Sequence, residues 1–176
     1  MISLARQLGE TSPSSYLLRK ARQLGIVGWD AFIELASLRG CDHYRPASPL
    51  GIQDPGQDRL SDAELVILLL LGENAYSPMA VRCAAQLTRS PRIEAGHLAD
   101  LAIRHKTSRV ISHIARAGCL HDPEGIEFWQ ALRHHLPSSS SHSGQEVHLP
   151  HWTRFVSMPG LQRNGPAPIR WLTPRL

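Results

Sequence analysis

At 176 residues and 19.5 kDa the chain suits one domain or one domain with an appendage, long enough to bury a core without disulfide or metal staples. Apolar residues at 42% against 19% charged exclude wholesale disorder, and the longest unbroken apolar run, residues 65–71, is far short of the roughly 20 residues that span a bilayer. The formal charge of +4 is uneven: residues 1–136 are nearly neutral, whereas residues 137–176 set Arg154, Arg163, Arg170 and Arg175 against Glu146 alone, which argues against whole-surface binding of nucleic acid and permits a local site.

Helix signals are dense along the first part of the chain. Ser12-Pro13 reads as an N-cap with proline at the first helical position, opening a helix through Leu24 with Leu17, Leu18, Ala21 and Leu24 on one face. Gly25 closes it. A second helix over roughly 27–39 carries Trp29, Phe32, Ile33 and Ala36 at helical spacing and ends at Gly40. Residues 41–59, rich in proline and glycine, read as a long loop or linker.

Ser61-Asp-Ala-Glu64 is a capping box, in which the serine side chain takes a backbone N–H and the glutamate reaches back. It opens the run 65–71, apolar on every side, which predicts a central buried helix. A buried parallel strand is the competing reading, but the leucine-rich run and its cap favour helix, since β-branched residues would dominate a strand. Ser77-Pro78 caps a helix with Ala80, Cys83, Ala84 and Leu87 inward, ended by Ser90-Pro91. Leu98, Leu101 and Ala102 mark another. Val110, Ile111, Ile114 and Ala115 mark the next, with Gly118 as its stop. Asp122-Pro123 starts the last, running to about Leu136 with Phe128, Trp129, Leu132 and Leu136 inward.

The expected fold is therefore all-α: six to seven helices in antiparallel hairpins, packed in the HEAT-like style without its repeat signature. The expected organisation is a helical hairpin over 1–40, a Pro/Gly loop over 41–60, a main helical core over 61–136 and a Ser/Pro-rich basic arm over 137–176. Ala5-Arg-Gln-Leu-Gly9 recurs as Ala21-Arg-Gln-Leu-Gly25, too short an echo to define a repeat array.

Two features carry functional expectations. The first is the basic turn Arg104-His105-Lys106-Thr107-Ser108-Arg109, set between two predicted helices. Thr107 or Ser108 would cap the second helix, placing its positive dipole end beside three cations, an arrangement suited to phosphate. The stretch 98–118 resembles a helix-turn-helix whose second helix turns Arg109, Ser112, His113 and Arg116 outward, although its turn lacks the usual glycine. An ordinary helix hairpin with a solvated basic turn accounts for the same residues. The second feature is the arm, where Trp152, Arg154, Phe155, Arg170 and Trp171 interleave aromatic and guanidinium groups. Such residues anchor protein interfaces, stack on bases, or fold back onto their own body.

Other constellations are weaker. Cys41-Asp-His43 and Cys119-Leu-His121 lack the spacing of a structural zinc grip, and no metal or cofactor is expected. Cys83 reads as a small buried hydrophobe. His97 with Asp100, the His134-His135 pair, and Glu124 with Glu127 suit helix termini without chemistry. There is no G-x-S-x-G, H-E-x-x-H, Walker A or G-x-G-x-x-G motif. The start MISLARQLGE has no apolar segment of signal-peptide type, and the three scattered cysteines build no disulfide framework, so the expected setting is cytoplasmic with no membrane contact. The expected function is a non-enzymatic helical adaptor binding a protein subunit through helix faces and the arm. The alternative is a helix-turn-helix-like nucleic-acid binder using the turn 104–109 and the helix 108–118.

Overall fold

The computed structural model describes residues 13–41, 48–72, 74, 77–137, 161–162, 165–166 and 171–175. The chain is all-α, with seven α-helices among the described residues: α1 (Pro13–Gln23), α2 (Trp29–Leu38), α3 (Asp62–Leu69), α4 (Pro78–Leu87), α5 (Ala95–Arg104), α6 (Ser108–His121) and α7 (Ile126–His135). A single 3₁₀ turn, Pro123–Gly125, leads into α7. The extended structure among the described residues is a two-residue antiparallel pair, Leu161–Gln162 with Gly165–Pro166, with Leu161 opposite Pro166.

The helices begin and end where local chemistry dictates. Proline heads α1 and α4, where its missing N–H costs nothing. Two helices end in Schellman turns on glycine. Gly25 takes φ 78° while Ile26 N–H reaches back to Ala21 O, and Gly40 takes φ 94° while Cys41 N–H reaches Ala36 O. The capping box of α3 is complete: Ser61 Oγ accepts from Glu64 N–H at 3.1 Å and the Glu64 carboxylate accepts from Ser61 N–H at 2.9 Å.

The helix α3 has no polar face, so it is stable only where other helices surround it. Residues 65–70 are fully buried, with α1, α2, α4 and α5 packed around the helix. The remaining helices α5, α6 and α7 pack on one another, and α5 joins the two groups. Leu17, Phe32 and Leu35 belong to the same apolar cluster as Leu68, Leu98, Ile114 and Trp129.

One expected boundary is corrected. The sixth helix does not stop at Gly118 but runs to His121. Gly118 lies inside it because the Trp129 indole of α7 occupies the space a Cβ would need. This glycine is there for close approach of two helices rather than for a turn. Trp129 is fully buried, and its Nε1–H donates to Asp122 Oδ2 at 2.7 Å. Asp122 also accepts from Arg89 Nε at 2.6 Å and from Gly125 N–H at 3.1 Å, which fixes the α6–α7 junction against the end of α4.

Residues 171–175 return to the body. Trp171 is buried edge-to-face on Trp129 with centroids 4.8 Å apart, and Arg175 N–H donates to Gly40 O at 3.0 Å. Burying an indole removes roughly 150–250 Å² from water, worth on the order of 4 kcal/mol before the entropy of ordering the segment is subtracted.

The polar tie within the group of helices around α3 is Asp62, with its side chain 1% exposed at the first turn of α3. It accepts from Arg39 Nη1 at 3.0 Å, from Gln57 Nε2 at 2.7 Å and from Ser90 Oγ at 2.6 Å. The buried Arg39 turns its other two nitrogens to Asp54, Nη2 at 2.7 Å and Nε at 3.0 Å. Replacing Arg39 with Met strands Asp62 as a buried charge, so the variant is expected to lose about 3–5 kcal/mol in urea titration. A loss below about 1 kcal/mol would show that the pair is dispensable.

Candidate functional site

The α5–α6 hairpin is built on a connection of minimal length. His105 is the C-cap of α5 and donates its N–H to Leu101 O, Thr107 is the N-cap of α6, and Lys106 alone lies between them. Thr107 N–H reaches back to Ala102 O at 2.8 Å and Lys106 N–H to Ile103 O at 3.2 Å, so α5 closes in the same Schellman geometry as the glycine-ended helices. Here the left-handed position is filled by Lys106, at φ 60°. The turn thus adopts the backbone of a glycine turn without the glycine, at a cost of roughly 1–2 kcal/mol for an L side chain.

Alternation of burial across this turn sorts its side chains. His105 and Thr107 point inward and are buried, while Arg104, Lys106 and Arg109 are exposed. Along α6 the buried residues Val110, Ile111, Ile114, Ala115 and Ala117 form the inner face. Arg109, Ser112, His113 and Arg116 follow one another at i, i+3, i+4 and i+7 on the other side, with the two arginines exposed and Ser112 and His113 half-buried. Leu120 extends that outward row and is 75% exposed, the most exposed of the large apolar residues described.

The described cations divide into those in ion pairs and those without, and the hairpin's belong to the second set together with Arg19, Arg22, Arg59 and Arg133. Lys20 pairs with Glu64, Arg39 with Asp54 and Asp62, Arg89 with Asp122, and Arg92 with Asp62. Among the described residues, Arg104, Lys106, Arg109 and Arg116 enter no ion pair. Arg104, Lys106 and Arg109 flank the N-terminus of α6, which receives no side-chain cap because the Thr107 hydroxyl turns back to Ala102 O, while Arg116 lies about two turns further along the helix. The helix dipole therefore adds to the cations.

His105 lies beneath them, 7% exposed, with no hydrogen-bond partner for Nδ1 among the described residues. Burial pulls its pKa below the ordinary 6.5, with Arg104 acting in the same direction and Glu64 opposing.

Of the arm residues expected to bind a partner, Trp152, Arg154, Phe155 and Arg170 lie outside the described residues. Trp171 is found in the chain's own core, 4% exposed, which is the fold-back arrangement and not a partner-facing one. Of the basic-turn residues, Arg104, Lys106 and Arg109 are exposed and Ser108 is half-buried, while His105 and Thr107 are buried and so not presented with the others. Of the possible metal pairs, His43 is not described, and no group of three or more His, Cys, Asp or Glu able to hold an ion occurs among the described residues. Cys41 and Cys83 are buried side by side, the Cys41 thiol donating toward Cys83 O at 3.7 Å, and burial pushes the Cys83 thiol up to about 12. Such thiols are inert. Sequence reasoning missed the left-handed Lys106 and the buried Gln86, whose Nε2 donates to Thr173 O at 3.1 Å. No family model, curated protein or solved structure matches the chain.

Two outcomes are expected from the turn. Lys106→Gly relieves the left-handed strain, offset by the added freedom of glycine when unfolded, and is expected to raise stability by roughly 0.5–1 kcal/mol in thermal melts. A lower melting temperature would mean that the lysine side chain is needed in place. Because His105 binds its proton more weakly when folded than when unfolded, stability is full above pH 6.5 and falls as pH drops from there toward the lowered folded pKa. His105→Leu is expected to flatten that part of the pH–stability curve, and an unchanged curve would remove His105 as its source.

Proposed function

We propose that this chain is a non-catalytic helical module that binds nucleic acid through the α5–α6 hairpin. The observation that carries this reading is the set of exposed cations on one hairpin that enter no ion pair among the described residues, Arg104, Lys106 and Arg109 at the uncapped N-terminus of α6 and Arg116 further along its outer face. Phosphate oxygens satisfy both the guanidinium forks and the first N–H groups of a helix. Ser112 and His113, between the arginines, are the side chains on this face able to exchange hydrogen bonds with base edges. The α6 helix is the contact element and α5 its support. The inward placement of Cys41, Cys83 and His105 favours binding over chemistry.

A second reading, an adaptor for a protein subunit, is favoured by Leu120. A leucine 75% exposed on the same face of α6 suits an apolar anchor with Arg116 at its rim. The arm residues Trp152, Arg154 and Phe155 would then supply further anchors.

The test is titration of the full-length chain with a labelled DNA duplex over a range of salt. Four phosphate contacts predict a slope of log K against log salt of roughly −3 to −4. Arg109→Glu is expected to weaken binding by more than about tenfold and to make the slope shallower by at least ~1, because it removes one released counterion and adds repulsion. Leu120→Asp should leave duplex affinity within a few fold. Salt-independent binding, or no binding, would sink the nucleic-acid reading, and a protein contact abolished by Leu120→Asp would favour the adaptor.

A further inference from the structure

Three elements meet around Glu64, in the first turn of α3. The helix α3 packs on both α1 and α5. From one side Lys20 of α1 reaches the Glu64 carboxylate at 2.5 Å. On the other side the Glu64 charge is felt by the buried His105, at the end of α5. The α5–α6 turn and the Lys20 flank of α1 are therefore neighbours, with a neutralised ion pair between them.

That flank of α1 carries an aromatic ring and a further cation. Helical spacing turns Leu17 and Ala21 into the core and leaves Lys20 at its edge, with Tyr16 one turn before Lys20 and Arg19 beside both. The Arg19 guanidinium lies over the Tyr16 ring, 5.7 Å from its centroid, and Tyr16 remains 55% exposed. Arg19 enters no ion pair among the described residues. The Lys20–Glu64 bond and the buried Leu17 and Ala21 fix this part of α1, so the ring and the guanidinium are presented from a rigid element. Beside cations suited to phosphate, the flat group such a pair receives is a nucleobase. In a duplex both faces of a base are covered by its neighbours, so a side chain stacks only on an unpaired or terminal one.

We propose that the nucleic-acid surface continues from the hairpin onto α1, where Tyr16 and Arg19 stack an unpaired base, so that the partner carries a single-stranded segment beside the stretch held by α6. This rests on the reading of α6 as the contact helix. Arg104 and Lys106, at the turn, hold phosphates of the strand that leaves α6. Arg19 adds a cation to the same path, and Tyr16 takes the base. Every base has a flat face, so the pair selects single strand over duplex and not one sequence over another.

The experiment uses the full-length chain with two labelled DNAs, a blunt duplex and the same duplex extended by a single strand of about six nucleotides, in either polarity. The extended duplex is expected to bind roughly tenfold more tightly in at least one polarity. Tyr16→Ala should remove that gain and leave blunt-duplex affinity within about twofold, while Tyr16→Phe keeps it, because the ring and not the hydroxyl stacks. Tyr16 is exposed and alanine favours helix, so the variant is expected to keep its melting temperature. Arg19→Ala should lose part of the gain and make the salt slope shallower by roughly 0.7 on the extended duplex alone. A fluorescent purine analogue in the overhang should be quenched by the unmodified chain and by Tyr16→Phe, but not by Tyr16→Ala. Equal affinity for the two DNAs, or a gain that survives Tyr16→Ala, would overturn the stacking site and leave the reading of α6 standing. Overhang binding that needs Tyr16 but is indifferent to Arg109→Glu would overturn α6 as the contact helix and leave a strand-binding site on α1. Binding of neither DNA would overturn both.

Discussion

A buried carboxylate has to be answered, and the way Asp62 is answered organises this molecule. An unpaired charge at that depth would cost several kcal/mol, so its partners are obligatory. They come from the end of α2 (Arg39), the loop before α3 (Gln57) and the turn after α4 (Ser90), three segments far apart in the chain. The helix they tie down, α3, has no polar face of its own to orient it. An all-apolar surface packs comparably well in several rotations, because apolar contacts are non-directional. Directional bonds at its first turn remove that freedom: the capping box, the Lys20–Glu64 pair at 2.5 Å and the Asp62 cluster. The position of α3 in turn places α1, α2, α4 and α5.

The elements with a local cause were legible in the sequence. The capping box, the proline-headed helices and the glycine-ended α1 and α2 all rest on contacts within a few residues. What escaped depends on pairs distant in sequence. Arg39 and Asp62 each look like ordinary surface charges until the fold joins them. Gly118 shows the ambiguity most plainly: a glycine at the end of an apolar pattern reads as a stop, yet its reason is an indole arriving from the next helix. Lys106 is the converse, a left-handed turn residue that carries no glycine to announce it. The exposed row on α6 was legible, because helical spacing alone separates Arg109, Ser112, His113 and Arg116 from Val110, Ile111 and Ile114.

Trp129 is to the second group of helices what Asp62 is to the first. It is a large ring fully enclosed by Gly118, Phe128 and Trp171, with its one polar atom bonded to Asp122. Asp122 spreads its two oxygens over the Trp129 indole, the Arg89 guanidinium and a backbone N–H in the 3₁₀ turn. The junction between α6 and α7 is therefore held at its polar and apolar ends at once. A helix so fixed on its inner side is a firm platform for whatever its outer side meets, and firmness lowers the entropy lost on binding.

The near-neutral formal charge of the helical body understates its surface polarity. Several of its carboxylates are turned inward: Asp62 and Asp122 are buried on guanidinium partners, and Glu34 accepts three consecutive backbone N–H groups, from Leu50, Gly51 and Ile52. Asp54 is held below its ordinary pKa chiefly by its bond to Arg39. Fields inside close pairs cancel at short range, so these groups contribute little to the potential outside. The α5–α6 hairpin has no such internal match among the described residues. Arg104, Lys106 and Arg109 lie beside the positive end of the α6 dipole, with Arg116 further along the helix. On the proposed reading, the N-terminus of α6, which carries no side-chain cap, is where an anionic partner would dock.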